Sequence, residues 1–210
     1  MRMKGMICAV ALLATASAAT ANLLYNPGFN TNGGGGTTPD GWTATGDAGK
    51  QGVENWGSHD GDGWLEAFYG WNAGTSATLF QNVAGAANSI YTLSFWQEGD
   101  DAWNGTAFSV SLLWLDATGS QIGTPATMDL QSTAIANTGW TNQVLQATSP
   151  LNTATVRVQF AATSLAEAGA GAAKIDEVNF DVQAIPEPST LALVGIPLIA
   201  LAAMRRRFSR

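Results

Sequence analysis

The chain has 210 residues, a formal net charge of −7 and a single cysteine. Between Asn22 and Ile185 only Lys50, Arg157 and Lys174 stand against fifteen acidic residues, a balance of −12. A middle this acidic repels phosphate backbones and anionic lipid, which excludes nucleic-acid binding and favours cations or neutral ligands such as sugars. At the N-terminus Arg2 and Lys4 precede an apolar run from Ile7 to Ala14 and an Ala19-Thr20-Ala21 cleavage pattern, the layout of a secretory signal peptide over residues 1–21. Cys8 lies within it, so processing at Asn22 leaves neither a disulfide framework nor thiol chemistry.

Residues 22–184 suit one domain with room for a core. No long window has capped helical periodicity, and short β-rich runs alternate with Gly-, Asn- and Asp-rich connections, so the domain is expected to be all-β. The predicted strands are Leu23 to Asn26, Trp64 to Tyr69, Ala77 to Val83, Ile90 to Gln97, Thr106 to Leu115, Thr141 to Ala147, Ala154 to Ala161 and Lys174 to Val182. The segment Asp116 to Thr138 reads as a loop with room for a short irregular strand. Eight strands of this kind imply a two-sheet sandwich, jelly-roll or immunoglobulin-like. Parity puts Tyr91, Leu93 and Phe95 in the core with Trp96 on the other face, and Val156, Val158 and Phe160 inward with Arg157 outward. Phe108, Val110, Leu112 and Trp114 share one face, and Leu113 and Leu115 make the other apolar too, as in a central strand.

The last strand carries a conflict. Parity places Asp176 on the apolar side with Val178 and Phe180, where a carboxylate must be neutralised, hydrogen-bonded or bound to a cation such as Ca²⁺. Alternatively, Asp176 lies at the start of the strand, in water.

The C-terminal segment, residues 185–210, holds Pro186-Glu187-Pro188, an uncharged apolar run from Leu191 to Ala203, and then Arg205, Arg206, Arg207 and Arg210. The run is short for a bilayer, which takes about 20 apolar residues, and the arginines hold its end on the cytoplasmic side. In this order the three parts resemble the PEP-CTERM sorting signal of Gram-negative bacteria. That resemblance implies cleavage by an exosortase-type protease, transient insertion in the inner membrane, and export to the cell envelope, the cell surface or the medium. The alternative is an ordinary C-terminal anchor with the same orientation. Signal peptide and apolar tail are both expected to be short helices.

A second resemblance spans the ectodomain. Asn22-Leu23-Leu24-Tyr25-Asn26-Pro27-Gly28-Phe29, Gly41-Trp42 and Ile175-Asp176-Glu177-Val178 are similar to the terminal signatures of jelly-roll carbohydrate-binding modules of the galactose-binding-like superfamily. It implies a jelly roll with first and last strands adjacent and a structural Ca²⁺ beside them, held by Asp176 and by Asn30, the residue after the NPGF-type motif. Asn30 stands where an acid is usual.

All eight tryptophans are in the ectodomain. Sugar rings stack their C–H faces on indoles while their hydroxyls pair with short polar side chains. Trp56, Trp64, Trp71, Trp96 and Trp103, by parity or loop position, are the candidate ligand-binding residues, with Trp42, Trp114 and Trp140 assigned to the core. Trp64 is outward if Leu65, Ala67 and Tyr69 face in. Asp60-Gly61-Asp62-Gly63 and Glu98-Gly99-Asp100-Asp101 offer hard oxygens or simply solvated turns. Catalysis finds no motif: His59 is the sole histidine, which excludes a multi-His zinc site, and no elbow or HExxH pattern accompanies it. A glycosidase needs only two carboxylates, which Glu54, Glu66, Glu98 or the aspartates could supply. The expectation is thus a non-enzymatic exported protein binding extracellular polysaccharide, with a structural or adhesive matrix protein lacking a glycan site, or a glycoside-active enzyme, as alternatives.

Overall fold

The computed structural model describes residues 21–71, 74–100, 102–103, 105–136, 139–163 and 171–185. The signal peptide, the Pro186-Glu187-Pro188 motif with its apolar and arginine-rich tail, and Asp101 lie outside the described residues.

Two five-stranded antiparallel sheets face each other as a jelly-roll sandwich. In chain order the strands are β1 (Thr43–Gly46), β2 (Gln51–Glu54), β3 (Leu65–Tyr69), β4 (Ser76–Ala84), β5 (Ser89–Gly99), β6 (Ala107–Leu115), β7 (Ala126–Asp129), β8 (Thr141–Thr148), β9 (Thr155–Thr163) and β10 (Ala172–Ala184), with one short helix, α1 (Gln131–Ala136), before β8. One sheet runs β1-β4-β9-β6-β7 and the other β2-β3-β10-β5-β8. The two inner faces share one apolar core. Phe95 of one sheet meets Phe160 of the other edge-on at 5.0 Å, Phe68 meets Phe108 at 5.1 Å, and Tyr91 lies between Phe180 and Trp114 at 5.4 and 5.7 Å.

Alternation on β5, β6 and β9 is as the sequence implies: Tyr91, Leu93, Phe95, Phe108, Val110, Leu112, Trp114, Val156, Val158 and Phe160 are all buried. Seven of the eight predicted strands form. The exception is Leu23 to Asn26, where Asn22 replaces a ladder with side-chain bonds: its Nδ2 donates to Val178 O (2.8 Å) and its Oδ1 accepts from Phe180 N (3.0 Å). Three residues on, Gln81 of β4 brackets Tyr25 through bonds to its N–H and carbonyl. The opening segment is thus clipped to both sheets and lies beside the last strand. Asn26, at φ 51°, then turns the chain, and its carbonyl accepts Trp42 Nε1 while Phe29 packs on the Trp42 ring at 5.5 Å. The NPGF and Gly-Trp motifs therefore join in a structural corner. Sequence reading missed β1 and β2, which are four-residue strands too short to show a period, and β7 is the short strand inside Asp116 to Thr138.

Two parity readings are corrected. On β3 it is Phe68 that enters the shared core, while Leu65, Ala67 and Tyr69 form a second apolar cluster with Ala172, on which Trp140 packs. Trp64 accordingly leans on the main core, and Trp140 belongs to the outer face. On β10 a bulge separates Asp176, paired with Trp96, from Asn179, paired with Ser94, and Glu177 within it has φ 49°. The extra residue shifts parity, so Asp176 shares a face with Trp96 rather than with Phe180.

Candidate functional site: the outer face of the second sheet

The face of β2-β3-β10-β5-β8 that points away from the core is where the aromatic and charged side chains collect. Its floor is Leu65, Ala67, Tyr69 and Ala172. Glu54, at the end of β2, accepts the Tyr69 hydroxyl (2.6 Å) and Trp56 Nε1 (3.0 Å), which fixes both rings around one carboxylate. Burial, and then the Glu54 bond and charge, raise the Tyr69 phenol far above its ordinary value, so it stays a donor. Trp71 leans on Tyr69 at 4.7 Å. Lys174 is buried and lies 2.5 Å from Glu98 Oε2 and 2.9 Å from Asp100 Oδ1. Its ammonium stands 5.4 Å from the Trp56 ring centre and 5.5 Å from that of Trp140. Two carboxylates and two indoles compensate the desolvation of one cation, and in return that cation holds both indoles in place. Trp56 and Trp71 remain 36% and 37% exposed, enough to stack a flat ligand.

The β2–β3 connection, residues 55–64, folds over the other part of this face. His59 stacks on Trp96, centroids 3.8 Å apart and planes 15° apart, and meets Trp140 edge-on at 5.8 Å. Its Nδ1 is bonded to Glu177 Oε2, and its backbone N–H donates to Asp176 Oδ2 at 2.8 Å. Glu177 N–H donates to Asp176 Oδ1 at 2.7 Å. The acid read as buried and in need of a partner is fully buried, and its partners are main-chain donors. Burial pushes the Asp176 carboxyl up to about 7 against these two bonds, with Asp60 and Asp62 adding like charge. Asp60 is raised as well, by burial and by its neighbours Asp62 and Glu177.

Beside this cluster Asn22, Pro27, Gly28, Asn30, Asp60, Glu177, Val178 and Asn179 line an open cleft of about 390 Å³. The Asn30 amide and an Asp62 carboxylate oxygen both lie within 4 Å of the Cβ position of Gly28, so they face one spot. Asp62 presents a hard oxygen there, whereas the Asn30 atom nearest the spot is its amide nitrogen, so a calcium-type ion would need the Asn30 amide turned to offer its oxygen. Among the described residues, however, no three His, Cys, Asp or Glu side chains are gathered on one point, so such an ion would complete its shell with Asn30, backbone carbonyls and water. Asp60 and Asp62 otherwise cap their own turns, accepting Asp62 N–H and Trp64 N–H. In the second acidic loop, Glu98 and Asp100 are committed to Lys174 rather than to a turn or an ion.

Of the five tryptophans singled out, the structure brings Trp56, Trp71 and Trp96 to the outer face, the last beneath His59. Trp103 is a correction: it is 8% exposed, packs on Phe108 at 5.9 Å and donates Nε1 to Gln131 Oε1, so no ring face is left for a ligand. Trp64 is half-buried against the main core. Sequence reading missed Lys174 and Tyr69, put Trp140 in the core, and had Glu54 only among the carboxylates open to a glycosidase. The signal for Trp140 was its place one residue before β8, whose Thr141 pairs with Gln97 next to Glu98.

No protein-family model and no curated protein matches the chain. Solved structures do. The enzymatically active domain of tailspike protein 4 of bacteriophage CBA120 aligns at a TM-score of 0.58 and 18% identity over 77% of this chain, which spans only 21% of the tailspike chain. A family 16 carbohydrate binding module aligns at 0.55 and 18% identity, covering 76% of this chain and 99% of the module. TmCBM61 in complex with β-1,4-galactotriose aligns at 0.51 and 20%, covering 78% and 100%. A cyclase from Fischerella aligns at 0.53 and 15%, covering 81% and 100%. At these identities the likeness is one of fold, a jelly roll shared by binding modules and enzymatic domains alike.

Proposed function

We propose that this is an exported, non-catalytic carbohydrate-binding protein that holds extracellular polysaccharide on the outer face of its second sheet. The observation that carries the reading is the pair of indoles, Trp56 and Trp140, held 5.4 and 5.5 Å from the Lys174 ammonium, with Trp71 packed on Tyr69 of the same face. Such an arrangement offers rigid stacking surfaces at little entropic cost, and the carboxylates beneath it are hydroxyl acceptors. Binding is favoured over cleavage because the outer-face carboxylates Glu54 and Glu98 are already engaged, by Tyr69 and Trp56 and by Lys174. The fold neighbours that bind sugars add support. The signal peptide and the PEP-CTERM-type tail, with Pro186, Glu187 and Pro188, supply the address: export across the inner membrane, processing by an exosortase-type protease, and delivery to the cell surface or matrix.

Calorimetry against soluble β-glucan, xylan, mannan and galactan oligosaccharides tests this. The wild type is expected to bind at least one of them, and Trp56→Ala and Trp140→Ala to weaken that binding by about tenfold each, at the cost of one stacking contact. No binding to the panel, or binding indifferent to both variants, would dismiss the reading.

We also propose that Asn30, which lines the cleft, and Asp176, at the bulge beside it, help to hold one structural Ca²⁺. Ion at about 100 times its dissociation constant stabilises the fold by roughly 2.7 kcal/mol. Chelation is therefore expected to lower the melting temperature, and Asp176→Asn to abolish the difference. A melt that chelator leaves unmoved disproves the site.

A further inference from the structure

The same stacking that makes Trp96 attractive as a sugar platform is already in use. An imidazole 3.8 Å from the indole and nearly parallel to it fills the position a pyranose ring would take. His59 is held there by Glu177 at Nδ1, by Asp176 at the backbone N–H and by the edge of Trp140. The segment that carries it, residues 57–63, lies between two anchored indoles, Trp56 at Glu54 and Lys174 and Trp64 against the main core. Gly57 and Gly63, at φ 75° and 99°, bracket it, and a Cβ at either would meet no atom within 4 Å. Between those indoles, His59 supplies the contacts with Trp96, Glu177 and Asp176 that hold the segment on the outer face.

We infer that His59 is a built-in occupant of the stacking position on Trp96, and that the outer face gains this indole as an additional pyranose subsite only when residues 57–63 lift. The inference rests on the glycan reading of the face for its ligand, and on the geometry of His59 alone for the cover. If binding requires the uncovered state, apparent affinity is reduced by the fraction of molecules in which the cover is down. His59 is then the residue that sets how tightly a longer glycan is held, because the added subsite must compete with an intramolecular ring.

Two measurements separate the cover from its ligand. Acrylamide quenching of tryptophan fluorescence is expected to show an additional accessible indole in His59→Ala, and the increment should vanish in the His59→Ala/Trp96→Ala double variant. Calorimetry with cellohexaose, xylohexaose, mannohexaose and β-1,4-galactotriose is expected to show about tenfold tighter binding by His59→Ala for whichever probe the wild type takes, the gain again lost in the double variant. His59→Phe keeps a flat ring over Trp96 and should restore the cover in both readouts, which distinguishes loss of the ring from loss of the fold. An unchanged quenching profile in His59→Ala, or a gain in affinity that survives removal of Trp96, overturns the inference. If no probe binds either protein, the glycan reading falls, and quenching alone decides whether the cover exists.

Discussion

Phe95→Ala is expected to lower the unfolding free energy by about 3–5 kcal/mol, whereas Trp96→Ala, one residue along the same strand, costs about 1 kcal/mol. Phe95 is fully buried and meets Phe160 of the opposite sheet edge-on at 5.0 Å, so truncation opens a cavity at the seam between sheets. Trp96 faces out and loses only its stack with His59 and partial burial. Against a domain stability of roughly 5–15 kcal/mol the first change is near the limit of what folds. Urea denaturation checks both: the midpoint should fall sharply for Phe95→Ala at an m-value near wild type and barely move for Trp96→Ala. Equal losses would mean that Trp96 is part of the core and that the outer face is wrongly assigned.

That contrast marks what was readable. Strands long enough to show a period of two, β5, β6 and β9, disclosed both their extent and their inner face, because one side must be apolar and the other need not be. Reading failed on β3 for a physical reason. Leu65, Ala67 and Tyr69 look like a core face, but they form a second apolar cluster on which Trp140 packs from outside, so both sides of the strand are dry and parity loses its meaning. It failed on β10 because one inserted residue, Glu177 in the left-handed region, moves Asp176 across the sheet, and no composition signals a bulge.

The candidate site was legible in kind more than in membership. That Trp96 points outward followed from alternation. That Trp140 stands on the outer face and Trp103 inside depends on partners remote in sequence: Lys174 on β10 draws Trp140 outward, and Phe108 and Gln131 take Trp103 in. His59, read only as a lone histidine without a catalytic motif, gave no sign of its place because its stacking partner lies 37 positions on, at Trp96.

The inverted parity of β3 leaves a residue whose removal should strengthen the protein. Glu66 shares its inward parity with Phe68, is fully buried, and neither of its carboxyl oxygens has a hydrogen-bond partner among the described residues. Burial, with the charge of Glu54 in support, raises its pKa well above the ordinary 4.5. The folded chain therefore keeps a proton that the unfolded chain gives up, and folding takes one up across that interval. Stability linked to this group is whole below about pH 4.5 and is lost as pH rises toward the folded-state value. Glu66→Met removes the titration and the unpaired carboxyl at similar volume, and is expected to raise stability at pH 7 by about 1–3 kcal/mol while flattening its decline between pH 5 and 8. Glu66→Gln separates the two effects: it should flatten the pH profile without the full gain, because an unpaired amide remains buried. Urea midpoints of the three proteins at pH 5 and pH 8 decide the matter. A Glu66→Met protein less stable than wild type at pH 7, with the slope intact, would show that this carboxyl has a partner after all, and that the acid was retained for it.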